Sequence, residues 1–137
     1  MNFIDAIKNI LEERGQSINT LFENNIISKN TFYKYKQRNP SLKTVIKVAN
    51  FLEVSIDYIY ELDDKNNFKA YPEKIENFYN NLVSTIKSTN LSFREFCKRL
   101  GISKANIVRY RNGVEPNITT LLEIANFLNC TIDDLLI

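Results

Sequence analysis

Lys29, Lys34, Lys36, Arg38 and Lys43 fall between Ser28 and Lys43 without one acidic residue among them, and Tyr33 and Tyr35 are interleaved with the cations. Ammonium and guanidinium groups gathered in this way can neutralise phosphates or another polyanion. A merely solvated helix would carry the same charges. Glu61, Asp63, Asp64, Asp133 and Asp134 collect elsewhere, so a formal net charge of only +2 conceals a basic face. Other chemistries are closed by residue type. The chain has no histidine, which removes histidine-based zinc sites, histidine general bases, catalytic triads and haem ligation. Gly15, Gly101 and Gly113 are too widely separated to form a phosphate-cradling loop. Cys97 and Cys130 lack Cys-x-x-Cys spacing, and a cysteine such as Cys97 is most often a small buried apolar side chain. No pair of carboxylates is marked as a general acid and base, so no catalysis and no cofactor is expected.

The elements that must position these cations are written twice. Pro40-Ser41-Leu42 through Val48-Ala49-Asn50-Phe51-Leu52 to Ser55-Ile56-Asp57 returns 76 positions later as Pro116-Asn117-Ile118 through Ile124-Ala125-Asn126-Phe127-Leu128 to Thr131-Ile132-Asp133. An internal repeat of this length makes half the chain the unit of interpretation. Leu42, Val45, Ile46, Ala49 and Leu52 follow the i, i+3, i+4, i+7 spacing of a helix with one buried stripe, as do Ile118, Leu121, Leu122, Ala125 and Leu128. A proline precedes each helix, and Ser55 or Thr131 follows as the N-cap of a further short one, with Thr131 to Asp134 reading as a capping box.

Upstream, Phe3, Ile7, Ile10 and Leu11 mark an opening helix closed by Gly15, and Phe78, Leu82 and Ile86 mark its counterpart. Ser92-Phe-Arg-Glu95 reads as a capping box opening the next helix, Gly101 as the left-handed residue that ends it, and Ser103 as the cap of the one after. Ser17 and Ser28 hold the corresponding places in copy one, where Ile26 aligns with Gly101 and Phe22 with Cys97. The expected architecture is all-α: a first five-helix domain over residues 1–62, a polar, proline-containing linker over 63–73 and a second five-helix domain over 74–137. Each domain is near the lower size limit for independent folding. The acid at Asp5 and the lack of a long apolar run argue against export and membrane spanning, so a cytoplasmic location is expected.

In copy two, the order Leu100-Gly101-Ile102-Ser103, the helix-core Ile107, Asn112-Gly113, Pro116 and Ile124-Ala125-x-x-Leu128, ending in Thr131-x-Asp133-Asp134-Leu135, resembles the Cro and phage-repressor (Xre) helix-turn-helix family. Copy one resembles it too, and together they cover nearly everything but the linker. The resemblance implies two tandem lambda-repressor-like domains whose recognition helices, Ser28 to Gln37 and Ser103 to Asn112, lie in the DNA major groove. By motif position the base-contacting residues would be Lys29, Asn30, Thr31 and Lys34, and Lys104, Ala105, Asn106 and Arg109. Their chemistry agrees: Lys and Arg suit guanine, Asn can pair bidentately with adenine, and a Thr or Ala methyl can meet thymine. Backbone contacts would fall to Ser17, Asn19, Ser28, Tyr33, Lys36, Arg38, Ser92, Arg94, Ser103, Arg111 and Asn112. Phe32, Ile107, Tyr35 and Tyr110 would face inward. Many family members place a glutamine at the start of the second helix; here those positions are Ile18 and Phe93, expected to cover the core or the partner module.

The partner implied is double-stranded DNA. The implied role is a sequence-specific transcriptional regulator acting as a repressor, the two unlike repeats forming an intrachain pseudo-dimer on two unlike half-sites. Two other readings stand beside it. Copy two alone reads DNA and copy one is a platform, or the chain is an antirepressor-like or antitoxin-like module that binds a protein. A homodimer or protein partner therefore stays open; ordinary packing is the preferred reading of Leu136 and Ile137, with a small oligomer contact as the alternative, while no membrane and no small-molecule substrate is expected.

Overall fold

The apolar stripes of copy one fold as predicted in kind. A computed structural model, which describes residues 2–137, gives α1 (Phe3–Glu13), α2 (Asn19–Glu23), α3 (Lys29–Lys34), α4 (Leu42–Leu52) and α5 (Ile56–Ile59). Phe3, Ile7 and Leu11 from α1 are buried with Leu21, Phe32, Val45, Ala49, Leu52, Ile56 and Ile59, so every helix sends a side chain into one small core. Side-chain oxygens set the helix starts: Asn2, Ser28, Ser41 and Ser55 each accept from the backbone N–H three residues on. The start of α2 differs from expectation. Ser17 does not cap it; Ile18 occupies the N-cap position in an αR conformation without a side-chain bond, and the Ser17 carbonyl accepts from Thr20 N–H at 3.1 Å in a tight turn.

Copy two repeats the plan with α6 (Phe78–Lys87), α7 (Phe93–Leu100), α8 (Lys104–Arg111), α9 (Ile118–Leu128) and α10 (Ile132–Leu136). Here α6 packs on α7, α8 and α10. Ser92, Ser103, Asn117 and Thr131 are the N-caps; the Thr131–Asp134 capping box is reciprocal, while at α7 the Glu95 carboxylate accepts instead from Arg99 Nε at 3.3 Å. Leu136 is 1 % exposed and belongs to this core, in line with ordinary packing rather than an oligomer contact; Ile137 is exposed. The ten helices are the whole regular structure, with no strand among the described residues, and no helix is long and apolar enough to cross a membrane.

The chain divides into two units, Met1–Ala70 and Tyr71–Ile137. The polar segment after α5 folds back on its own unit: Asn66 Oδ1 accepts from Ser55 N–H and its Nδ2 donates to the Glu53 carbonyl, both at 2.9 Å. That one side chain pins the turn in which Glu53 takes a left-handed φ of 53°. The segment before α6 is held likewise, Tyr71 donating from its phenol to Asp133 Oδ1 at 2.6 Å.

Candidate nucleic-acid interface

The turn before each recognition helix decides how that helix is offered. In copy two α7 ends on Gly101, with φ 67°, and Ile102 N–H donates back to the Cys97 carbonyl at 2.9 Å. The same closing bond in copy one runs from Ile26 N–H to the Leu21 carbonyl at 3.0 Å, and the left-handed residue is Asn25, with φ 55°. Ile26 therefore does not replace the glycine, as the fixed alignment offset implies. The left-handed position falls one residue sooner, on an asparagine that tolerates the conformation, α2 itself ends two positions sooner than α7, and one more residue separates the left-handed position from Ser28.

Ser28 then caps α3: its Oγ accepts from Thr31 N–H at 3.2 Å and donates to Thr31 Oγ1 at 2.8 Å. The Thr31 hydroxyl is thereby engaged in the cap. Lys29, Asn30 and Lys34 are exposed and Thr31 is half-buried, while Phe32, 0 % exposed, anchors the opposite side of the helix. After Lys34 the chain winds on in three-residue turns through Gln37, leaving Lys36 and Arg38 exposed beyond the helix end. Tyr35 is buried, edge-on to Phe3 at 5.8 Å.

Copy two presents a longer helix. Ser103 Oγ accepts from Asn106 N–H at 3.1 Å, and α8 runs to Arg111 because Asn112 and the left-handed Gly113 close it, Val114 N–H reaching the Arg109 carbonyl at 2.9 Å. Lys104, Ala105, Arg109 and Arg111 are exposed and Asn106 is half-buried. Tyr110 repeats Tyr35, buried and edge-on to Phe78 at 5.3 Å, and burial pushes its phenol up in pKa. Of the residues expected at the backbone, Ser17, Asn19, Ser92, Arg94, Ser103 and Asn112 are all exposed; Ser92 and Ser103 also serve as N-caps, and Asn112 is the C-cap of α8.

Tyr33 has surroundings that sequence reasoning did not give. It is half-buried against Phe22 and Phe32, with ring centroids 6.4 and 5.5 Å away, and two ammonium groups lie over its ring, Lys8 Nζ at 5.3 Å and Lys36 Nζ at 5.4 Å. Such cation–ring contacts hold charge in place as well as attract it. Lys8 belongs to the opening helix, and only the packing of α1 beside α3 brings it to the basic face. Glu13, Glu61, Asp63 and Asp64 line a groove of about 430 Å³ between α1 and the end of α5, and no residue of α3 is in its lining. Ile18 and Phe93, in the usual glutamine position, are half-buried, and Phe93 lies 6.3 Å from both Tyr79 and Phe96.

Comparison with known proteins agrees with this geometry. The sequence model of the Cro/C1-type HTH DNA-binding domain matches the chain twice, over residues 6–65 and again over 81–137. No curated protein and no solved structure matches the chain.

Proposed function

Because the chain belongs, through both of its halves, to the Cro/C1-type helix-turn-helix DNA-binding family, we propose that it is a sequence-specific double-stranded-DNA-binding transcriptional repressor whose two repeats act as a pseudo-dimer within one chain. The observation that carries this reading is the repetition of the reading element itself. Each copy has a serine-capped helix with a buried aromatic anchor, Phe32 in α3 and Tyr110 in α8, Ile107 being only half-buried, and with Lys29, Asn30 and Lys34 or Lys104 and Arg109 exposed to solvent. In this proposal those residues, with Thr31, Ala105 and Asn106, meet base edges. Ser17, Asn19, Ser28, Tyr33, Lys36, Arg38, Ser92, Arg94, Ser103, Arg111 and Asn112 meet sugar and phosphate.

Half-sites one turn of DNA apart, about 34 Å, are what two such helices read. The two helices here differ, Lys-Asn-Thr-Phe-Tyr-Lys against Lys-Ala-Asn-Ile-Val-Arg, so the site consists of two unlike halves. Occupying that site in a promoter blocks transcription, which requires neither catalysis nor a cofactor.

The test is the salt dependence of duplex binding by the intact chain. Contacts to six or more phosphates cost about three powers of ten in affinity or more between about 50 and 200 mM salt. A chain that binds no duplex at the low salt concentration, or whose affinity is flat between the two, acts instead through a protein partner.

A further inference from the structure

Copy two leaves open a place that copy one fills with its own rings. In copy one Phe22 lies edge-on to Phe32 at 5.9 Å and beside Tyr33, closing the space between α2 and α3. The matching residues of copy two are smaller, Cys97, Ile107 and Val108. Between α6, α7 and α8 there is in consequence a groove of about 810 Å³, its apolar walls made by those three side chains with Tyr79 and Phe93. Sites that take small molecules measure about 300 to 1,000 Å³ and combine such walls with a few polar groups. The polar groups here all carry the same sign: Arg94, Lys104 and Arg111 line the groove, and no carboxylate does. All three are exposed, and Val108, on the same face of α8 as Lys104 and Arg111, is 40 % exposed.

We propose that this groove binds a small aromatic acid, the ring lying where Phe22 and Tyr33 lie in copy one and the anionic group meeting Arg94, Lys104 and Arg111. A neutral aromatic would make no charge-assisted bond to the three cations, and an anion without a ring would leave the apolar walls in water. Burial pushes the Cys97 thiol up, so it faces the ring as a neutral, weakly polar group. The consequence for regulation rests on the DNA-binding reading. The same three cations are assigned to the duplex, so the bound acid competes with DNA for copy two and releases it.

The probes are 1-naphthoate and its neutral counterpart 1-naphthamide, titrated calorimetrically into the full chain without DNA, with iodoacetamide labelling of Cys97 and Cys130 followed by peptide mapping. One naphthoate binds per chain, naphthamide binds at least about tenfold more weakly, and naphthoate slows labelling of Cys97 but not of Cys130. Replacing the lining by its copy-one counterparts, Cys97→Phe with Val108→Tyr, fills the groove and abolishes binding. Arg94→Gln with Arg111→Gln changes only exposed side chains; it weakens naphthoate about tenfold and leaves naphthamide unchanged. Absence of saturable naphthoate binding up to about 1 mM, equal binding of the amide, or undiminished binding by the folded Cys97→Phe, Val108→Tyr chain overturns the proposal. Because binding is read without DNA, failure of the duplex reading removes only the competition and leaves this result separate.

Discussion

Lys34 and Lys36 stand two residues apart in different surroundings. Lys34 ends α3 on its exposed side, whereas Lys36 lies past the helix end with its ammonium over the Tyr33 ring. Lys34→Ala should therefore cost about 1 to 3 kcal/mol on the preferred duplex and relax the preference at one base pair. Lys36→Ala should weaken all duplexes alike and lower the slope of log affinity against log salt by about one. Fluorescence anisotropy on matched and singly mismatched duplexes separates the two. A residue-scale prediction of another kind concerns Cys97. Its folded pKa is raised by burial, so its contribution is intact below the ordinary thiol value and is lost as pH rises through the raised one, the unfolded chain releasing the proton first. Thermal unfolding should show stability falling into the alkaline range, with Cys97→Ala making that fall shallower. The nature of these residues was legible in the sequence, but Lys8 was not. No local pattern connects a lysine on the opening helix with a tyrosine on the third.

Most helix starts could be read from the sequence because an N-cap is a local event: Ser28, Ser55, Ser92, Ser103 and Thr131 each bond a backbone N–H three residues away, whereas Ser17 does not cap α2 and the cap at Ser41 was not anticipated. Helix ends were less legible. A constant alignment offset put Ile26 in the place of Gly101, yet α2 ends two positions earlier and the left-handed position falls one residue earlier, on Asn25. The distinction is testable. Asn25→Val places a β-branched residue at positive φ and should destabilise the first unit by about 1 to 2 kcal/mol, whereas Ile26→Gly should bring no stabilisation. Urea unfolding of both variants checks the register. The turn after α4 carries a related prediction. Glu53 sits at positive φ with its carbonyl held by Asn66, so Asn66→Ala, which removes two hydrogen bonds, should cost about 1 to 3 kcal/mol. Asn66 was read as part of a polar linker, because its partners are 11 and 13 residues away and composition carries no trace of them.

At the scale of the molecule the repeat was the plainest signal, and the all-helical fold with its two buried cores followed from it. What the repeat hides is divergence between the copies. Copy one is closed by Phe22 and Tyr33 with a short recognition helix; copy two has a longer one beside an open groove. Such a pair should not read the same base pairs. Joining them raises the effective concentration of the second contact, so disabling either copy should lower overall affinity by about two to four powers of ten even though the other is untouched. The most direct test of the central claim, that α3 and α8 of one chain read the two halves of one site, is selection of binding sites from random duplex DNA by the intact chain, by Lys29→Ala and by Arg109→Ala. A pseudo-dimer selects a two-part motif bound by one chain, with Lys29→Ala relaxing only one half and Arg109→Ala only the other. A perfect palindrome bound by two chains, or a motif that only Arg109→Ala disturbs, would contradict that claim.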